Sequence, residues 1–153
     1  MAQTTEMVST LNSLIETLKD GQEGFRQAAE AVKDGTLKSL FSEYSLQRAK
    51  FAGELQNEVI RSLGDSKPEE TSSVSGALHR AWINLKSALT SGDDHAILAE
   101  CERGEDSAIS EYRKAIEDEN LSSPLRDIVS RQYTEVKAAH DRVKALRDQT
   151  KGS

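Results

Sequence analysis

A helical repeat of apolar residues runs through four long segments of this sequence and limits what the chain can fold into. In each segment apolar residues recur at steps of three and four positions, which places them on one face of an α-helix. The chain has 153 residues with only two prolines and nine glycines, so few positions interrupt such helices. No segment shows the two-residue alternation of a β-strand. The sequence therefore predicts an all-α fold.

Polar and glycine-containing turns divide the repeat into five helices. The turn around Asp34-Gly35 is too short for anything but an antiparallel hairpin, with glycine at the end of the first helix and Thr36 as the cap of the second. Ser123-Pro124 opens the last helix, since proline is favoured in a first turn. We expect helices at about 6–33, 36–63, 73–90, 94–118 and 124–149.

The order of these helices predicts how they pack. Pairing the four long helices as two hairpins leaves 64–92 as the connection between the hairpins. The short helix in that connection must lie across the others, with Trp82 as its anchor. We therefore expect one domain over 1–153, an antiparallel four-helix bundle with an extra helix in the long crossover.

Charge and composition exclude several classes of partner. The net charge is −6, which argues against unassisted binding to nucleic acid or to an anionic lipid surface. No apolar run approaches the roughly 20 residues of a membrane span, and the first ten residues lack a signal-peptide pattern. Cys101 is the only cysteine, so no intrachain disulfide can form. We expect a cytoplasmic protein whose partners are neither nucleic acid nor membrane.

Polar residues interrupt the apolar stripes, where chemistry in a helical bundle would be found. Glu105 lies on the seam of the fourth helix. The seam of the second helix passes through Gln47 or Arg48, with Glu54 beside it. Gln132 lies on the seam of the last helix, and Lys137 and His140 flank that seam. In the common interpretation Glu105 is exposed or paired with Lys137, and Arg48 and Glu54 lie on a solvated edge. The alternative makes Glu54, Glu105 and His140 ligands of one Fe, Mn or Zn ion.

Glycines lie at a similar depth in the helices. A glycine inside a helix costs about 1 kcal/mol relative to alanine, so several at one level indicate close helix approach or local distortion. We expect a polar layer marked by glycine at mid-bundle. The residues concerned are Gly21, Gly24, Gly53 and Gly104.

Several stretches resemble a known family. Helix order, crossover and residues such as Glu105-x-x-Ala108-Ile109-x-x-Tyr112 and His140 resemble the ferritin-like superfamily. Nearly the whole chain is more closely similar to an uncharacterised bacterial family of ferritin-like four-helix-bundle proteins whose domain has no assigned function. The stretches that carry this similarity are Lys19-Asp20-Gly21-x-x-Gly24-Phe25, Gly76-Ala77-Leu78-His79-Arg80-Ala81-Trp82, Glu102-Arg103-Gly104-Glu105-Asp106 and Ala139-His140-Asp141-Arg142.

The resemblance implies a di-metal site, and this sequence departs from it. Active ferritin-like proteins use a Glu from each of two helices and Glu-x-x-His from each of the other two. Three of the six positions could still coordinate, and one carries an ammonium group that repels a metal ion. We therefore expect no bridged metal pair. By the resemblance, the six positions are Leu18, Phe51, Glu54, Glu105, Lys137 and His140.

Two hypotheses of function follow. The first is a non-catalytic bundle with a structural or interaction role, related to stress as ferritin-like proteins often are, and dimeric through the crossover helix. The second is a reduced site for one Fe, Mn or Zn with iron-handling or redox activity, in which Asp20, Glu23, Glu102 or Cys101 would assist. No Ser-His-Asp set, glycine-rich phosphate loop or Cys-x-x-Cys points to a hydrolase, so we assign no catalytic residue.

Overall fold

The computed structural model describes residues 2–63, 82, 85–91 and 93–150. These residues form five α-helices and no strand, which confirms the all-α prediction. No helix within them has the run of apolar residues that a bilayer crossing requires. Of the predicted crossover, residues 64–81, 83, 84 and 92 lie outside the described part. The helices are α1 (Ala2–Ala31), α2 (Gly35–Leu63), α3 (Leu85–Ser91), α4 (Asp94–Glu117) and α5 (Ser123–Thr150).

The turn between α1 and α2 is closed by aspartate side chains. Asp34 Oδ1 accepts hydrogen bonds from the backbone N–H of Thr36 at 2.7 Å and of Leu37 at 3.4 Å. Asp34 therefore caps α2, and the prediction that Thr36 does so is wrong. The carboxylate of Asp94 accepts from the backbone N–H of Lys33 at 2.9 Å and of Asp34 at 3.2 Å. This contact fixes the first turn to the start of α4.

Aspartate side chains also cap the start of α4 and close the turn between α4 and α5. Asp93 is the N-cap of α4, and its side chain accepts from the backbone N–H of His95 at 3.0 Å. At the other end of the helix, Asp118 accepts from the Asn120 backbone N–H at 2.9 Å and from the Thr10 hydroxyl at 2.5 Å. The second contact joins the turn between α4 and α5 to α1.

Most of the buried apolar residues form two clusters, and all four long helices contribute to both. α1 packs mainly on α2 and α4, and α4 packs mainly on α5. Along each long helix the two clusters are separated by about two to three turns. The first cluster contains Leu11, Leu14, Ile15, Leu18, Phe51, Ala52, Leu55, Val59, Ala108, Ile109, Tyr112, Ala115, Leu121, Leu125, Val129 and Val136. The second contains Phe25, Ala28, Val32, Leu37, Phe41, Ile97, Leu98, Cys101 and Val143.

Candidate functional site

An arginine–glutamate ion pair lies in the gap between the two apolar clusters. The side chains of Arg48 and Glu105 are 1% and 0% exposed. Arg48 Nη2 donates to Glu105 Oε2 at 2.7 Å, and Nη1 donates to Oε1. This bidentate geometry matches the planar guanidinium to the carboxylate and makes a strong charge-assisted pair. The prediction that Arg48 lies on a solvated edge is therefore wrong.

The surroundings of Arg48 are suited to a buried cation. Its Cζ lies 5.3 Å from the centroid of the Phe25 ring, within the range of a cation–π contact. Its Nε donates to Gln47 Oε1 at 3.1 Å. Burial opposes the charge of Arg48, but the charge and hydrogen bonds of Glu105 outweigh it, so the pKa of Arg48 is raised. Arg48 is thus held in its charged form.

Lys137 lies at the surface of α5 and does not contact Glu105. Its side chain is 46% exposed, and its Nζ donates to Asp141 Oδ2 at 2.9 Å on the surface of α5. The expected pairing of Lys137 with Glu105 is therefore wrong. The two residues lie level in the second hairpin, but the cation at Glu105 comes from α2. Matching positions of α4 and α5 by their distance from the turn between them could not identify a partner on α2.

A second buried polar group adjoins the first apolar cluster. The Tyr112 hydroxyl donates to Gln132 Oε1 at 2.8 Å, and both side chains are fully buried. Gln132 Nε2 donates to Glu54 Oε1 at 3.0 Å and to the Phe51 carbonyl at 3.3 Å. Glu54 also accepts from Arg131 at 3.0 Å. Partial burial alone would raise the pKa of Glu54, but the hydrogen bonds from Gln132 and Arg131 lower it.

The three predicted metal ligands contact different partners. Glu54 contacts Gln132 and Glu105 contacts Arg48, as described above. His140 lies on the outer side of α4 and α5. In the described part of the chain, the group of His, Cys, Asp and Glu whose ligand atoms lie within 4.8 Å of one another is Glu102, Asp106 and His140. The structure therefore brings His140 together with Glu102 and Asp106, and does not bring it together with Glu54 and Glu105.

The imidazole of His140 lies between two carboxylates. Its Nε2 is 2.6 Å from Asp106 Oδ1, and its Nδ1 is 3.0 Å from Asp141 Oδ1. The His140 side chain is 14% exposed, whereas that of Asp106 is 61% exposed. The hydrogen bond from His140, followed by that from Lys137, lowers the pKa of Asp141. Glu102 is buried beside this group, and one of its oxygens accepts from Arg147.

Trp82 fills the space between α1 and α4. Its ring meets Phe25 edge to face, with 5.5 Å between centroids. A Cβ atom on Gly24 would lie 2.6 Å from Trp82 Cε3, and a Cβ on Gly104 would lie closer still to the indole. These two helical glycines therefore admit the indole, and Trp82 contacts the long helices as an anchor would.

The cysteine and the remaining histidines complete the set of side chains that could bind a metal. Cys101 is fully buried in the second apolar cluster, and burial raises the pKa of its thiol. His95 is half-buried, and its Nδ1 lies 2.7 Å from the Thr150 hydroxyl oxygen. His79 lies outside the described residues.

The positions that the ferritin-like resemblance assigns to metal ligands do not fit a metal pair. Leu18 and Phe51 are buried among apolar side chains of the first cluster and offer no donor atom. Both oxygens of Glu105 are occupied by Arg48. Lys137 contributes a surface ammonium group. Glu54 and His140 carry donor atoms, but these point to separate hydrogen-bonded groups.

Comparison with known protein families gives a match. A family model described as a domain of unknown function (DUF2383) matches residues 6–118. The matched span contains both members of the buried ion pair and both glycines that contact Trp82, whereas His140 lies beyond it. No curated protein matches the chain.

Proposed function

The chain belongs to the DUF2383 family of domains of unknown function, and from that premise we propose a non-catalytic protein with a structural or interaction role. The proposed architecture is a ferritin-like antiparallel four-helix bundle. In it a side-chain ion pair occupies the centre, where the ferritin-like proteins that it resembles hold metal ions. The proposal includes a bacterial, cytoplasmic setting related to stress, with protein rather than nucleic acid or membrane as the partner.

The observation that carries this proposal is the pair formed by Arg48 and Glu105. A metal ion at Glu105 would have to displace a guanidinium that makes two hydrogen bonds to it. It would also have to remain near the displaced positive charge in a site of low dielectric. Removing one partner of such a pair leaves an uncompensated buried charge, which costs about 3–5 kcal/mol. The ion pair therefore opposes metal binding at the centre.

Iron chemistry tests the proposal directly. We expect the purified full-length protein to oxidise Fe²⁺ in air no faster than buffer does, and Glu105→Gln to leave this rate unchanged. Because Glu105→Gln unpairs Arg48 and can unfold the protein, Glu54→Gln serves as a second variant at a partly exposed ligand position. Glu135→Gln, on the exposed side of α5, is the matched control. Faster oxidation, or two metal ions per chain, that is lost in either ligand variant but kept in the control overturns the proposal.

The interaction role includes self-association. Closed symmetric dimers are the commonest small oligomers, and we propose a homodimer formed through the crossover helix and its neighbours. Light scattering across a wide concentration range should give twice the mass of the 16.8 kDa chain. A monomer mass at every concentration would refute the dimer and leave the buried ion pair unaffected.

A further inference from the structure

We propose that Glu102, Asp106 and His140 form a binding site for one divalent transition-metal ion on the outer side of α4 and α5. One ligand atom from each residue lies within 4.8 Å of those of the other two. The site is separate from the Arg48–Glu105 pair at the centre. It adds metal binding to a protein whose proposed role does not depend on it.

The helical spacing explains why these side chains converge. Glu102 and Asp106 are four residues apart on α4, so they lie on one face of that helix, one turn apart. His140 comes from α5, which packs along α4. Glu102 is buried, His140 is half-buried and Asp106 is exposed. The group is therefore closed on its inner side and open to solvent on its outer side, where a water molecule can complete a coordination shell.

The contact between His140 and Asp106 brings two possible metal ligands together. His140 Nε2 and Asp106 Oδ1 lie 2.6 Å apart, at hydrogen-bond distance, and each atom can donate an electron pair to a metal ion. A metal ion can take the place of the hydrogen between them once the side chains open slightly. Asp141 accepts from the other ring nitrogen at 3.0 Å. That hydrogen bond favours the tautomer whose Nε2 lone pair points at Asp106, which is how carboxylates orient metal-binding histidines.

The donor set selects the metal. An imidazole nitrogen with carboxylate oxygens suits Zn²⁺ and related transition metals, whereas Ca²⁺ and Mg²⁺ prefer oxygen alone. Three protein ligands and a water molecule complete a tetrahedral Zn²⁺ shell with bonds of about 2.0–2.2 Å. Such bonds place ligand atoms about 3.4 Å apart. The exposed Asp106 side chain can rotate to reach this geometry without moving the backbone.

Two cations border the site and do not block it. Arg147 donates to Glu102 and Asp148, and Lys137 donates to Asp141. Both cations lie at the surface, so either can turn to solvent when a metal ion neutralises the carboxylates. Their presence balances the negative charge of the group without metal, and we expect them to lower rather than prevent metal affinity.

Calorimetric titration of the full-length protein with Zn²⁺ tests the site. We expect one Zn²⁺ per chain, with His140→Ala and Asp106→Asn each weakening binding at least about tenfold. Asp141→Asn should weaken it by about tenfold, the lower end of the effect of residues that orient a ligand. His95→Ala, which removes another half-buried imidazole at the start of α4, should bind as the wild type does.

Glu54→Gln separates this site from a site at the bundle centre. A metal held by Glu54, Glu105 and His140 would lose affinity in Glu54→Gln, whereas the site proposed here keeps it. Zn²⁺ binding that is absent in the wild type, unchanged in His140→Ala, or lost equally in His95→Ala or Glu54→Gln overturns this inference. Failure of the centre proposal would appear instead as iron oxidation or a metal pair that depends on Glu54 or Glu105.

Discussion

Arg48 of α2 and Glu105 of α4 join two helices that make little direct contact with each other. α1 packs against both α2 and α4, so the guanidinium of Arg48 reaches across the core to the carboxylate of Glu105. The pair lies where the two apolar clusters end, and no other buried pair of opposite charges joins these helices in the described part of the chain. Because each partner satisfies the other only in one alignment, the pair fixes how far α2 is shifted along α4.

Breaking this pair on one side should destabilise the protein strongly. We expect Arg48→Met and Glu105→Leu each to lower the free energy of unfolding by about 3–5 kcal/mol, because each leaves a buried charge unpaired. The double variant should recover most of that loss, since apolar residues of similar volume replace a buried pair at little cost. Urea denaturation of the three variants measures the coupling between the two residues.

A surface pair provides the control for these variants. Arg26 and Glu23 also form an ion pair, but their side chains are 52% and 50% exposed. Arg26→Met should lower the free energy of unfolding far less than Arg48→Met does, because solvent screens an exposed ion pair. If Arg48→Met lowers the free energy of unfolding no more than Arg26→Met does, Arg48 and Glu105 do not form a buried ion pair.

Gly24→Ala should destabilise the protein although alanine is the better helix former. Alanine gains about 1 kcal/mol over glycine inside a helix, but its Cβ would lie 2.6 Å from Trp82 Cε3. Trp82 or α1 must then move, and we expect a net loss of about 1–3 kcal/mol, as for other overpacked cores. Trp82 is the only tryptophan, so its fluorescence should shift towards that of an exposed indole.

Gly53→Ala is the matched control for Gly24→Ala. Nothing lies within 4 Å of a Cβ added at Gly53, so the variant should gain close to the full 1 kcal/mol or so of helix propensity. Removing the indole with Trp82→Ala should make Gly24→Ala tolerable. If the fluorescence and stability of Gly24→Ala match those of Gly53→Ala, Trp82 does not contact α1 as described.

The sequence predicts the helices because their apolar residues repeat with the helical period over long distances. That signal is local, so the all-α prediction is correct and the ends of the four long helices are close to those observed. The predicted start of the crossover helix at residue 73 lies outside the described residues. The turn chemistry was less predictable. Both Asp34 and Thr36 can cap a helix, and only the backbone path shows that Asp34 accepts the hydrogen bond.

The central ion pair was harder to predict, and the reason is physical. Arg48 and Glu105 belong to different hairpins, and no periodicity relates positions in two hairpins. An arginine beside an apolar stripe ordinarily reaches solvent with its charged end. The sequence did contain a signal: Glu105 lies on a seam and needs a cation, and Arg48 lies near the seam of the second helix at the same depth. The contact of His140 with Asp106 also depends on the rotation of α5, which the sequence leaves open.

Tyr112→Phe should lower the free energy of unfolding by about 1–3 kcal/mol at neutral pH. The variant leaves the buried Gln132 Oε1 without the hydroxyl that donates to it. Burial raises the pKa of Tyr112 above its ordinary value of 10.0. An acid with a raised pKa in the folded state contributes stability below the unfolded pKa and loses it as pH rises towards the folded one. Urea denaturation should therefore show a constant difference between wild type and Tyr112→Phe up to about pH 9, and a shrinking difference above about pH 10.

Tyr133→Phe is the control for Tyr112→Phe. It removes only a hydroxyl that accepts from Arg113 at the surface, so it should change the free energy of unfolding by less than about 0.5 kcal/mol. Equal losses in the two variants, or a difference that does not change up to about pH 11, would contradict a buried Tyr112–Gln132 hydrogen bond.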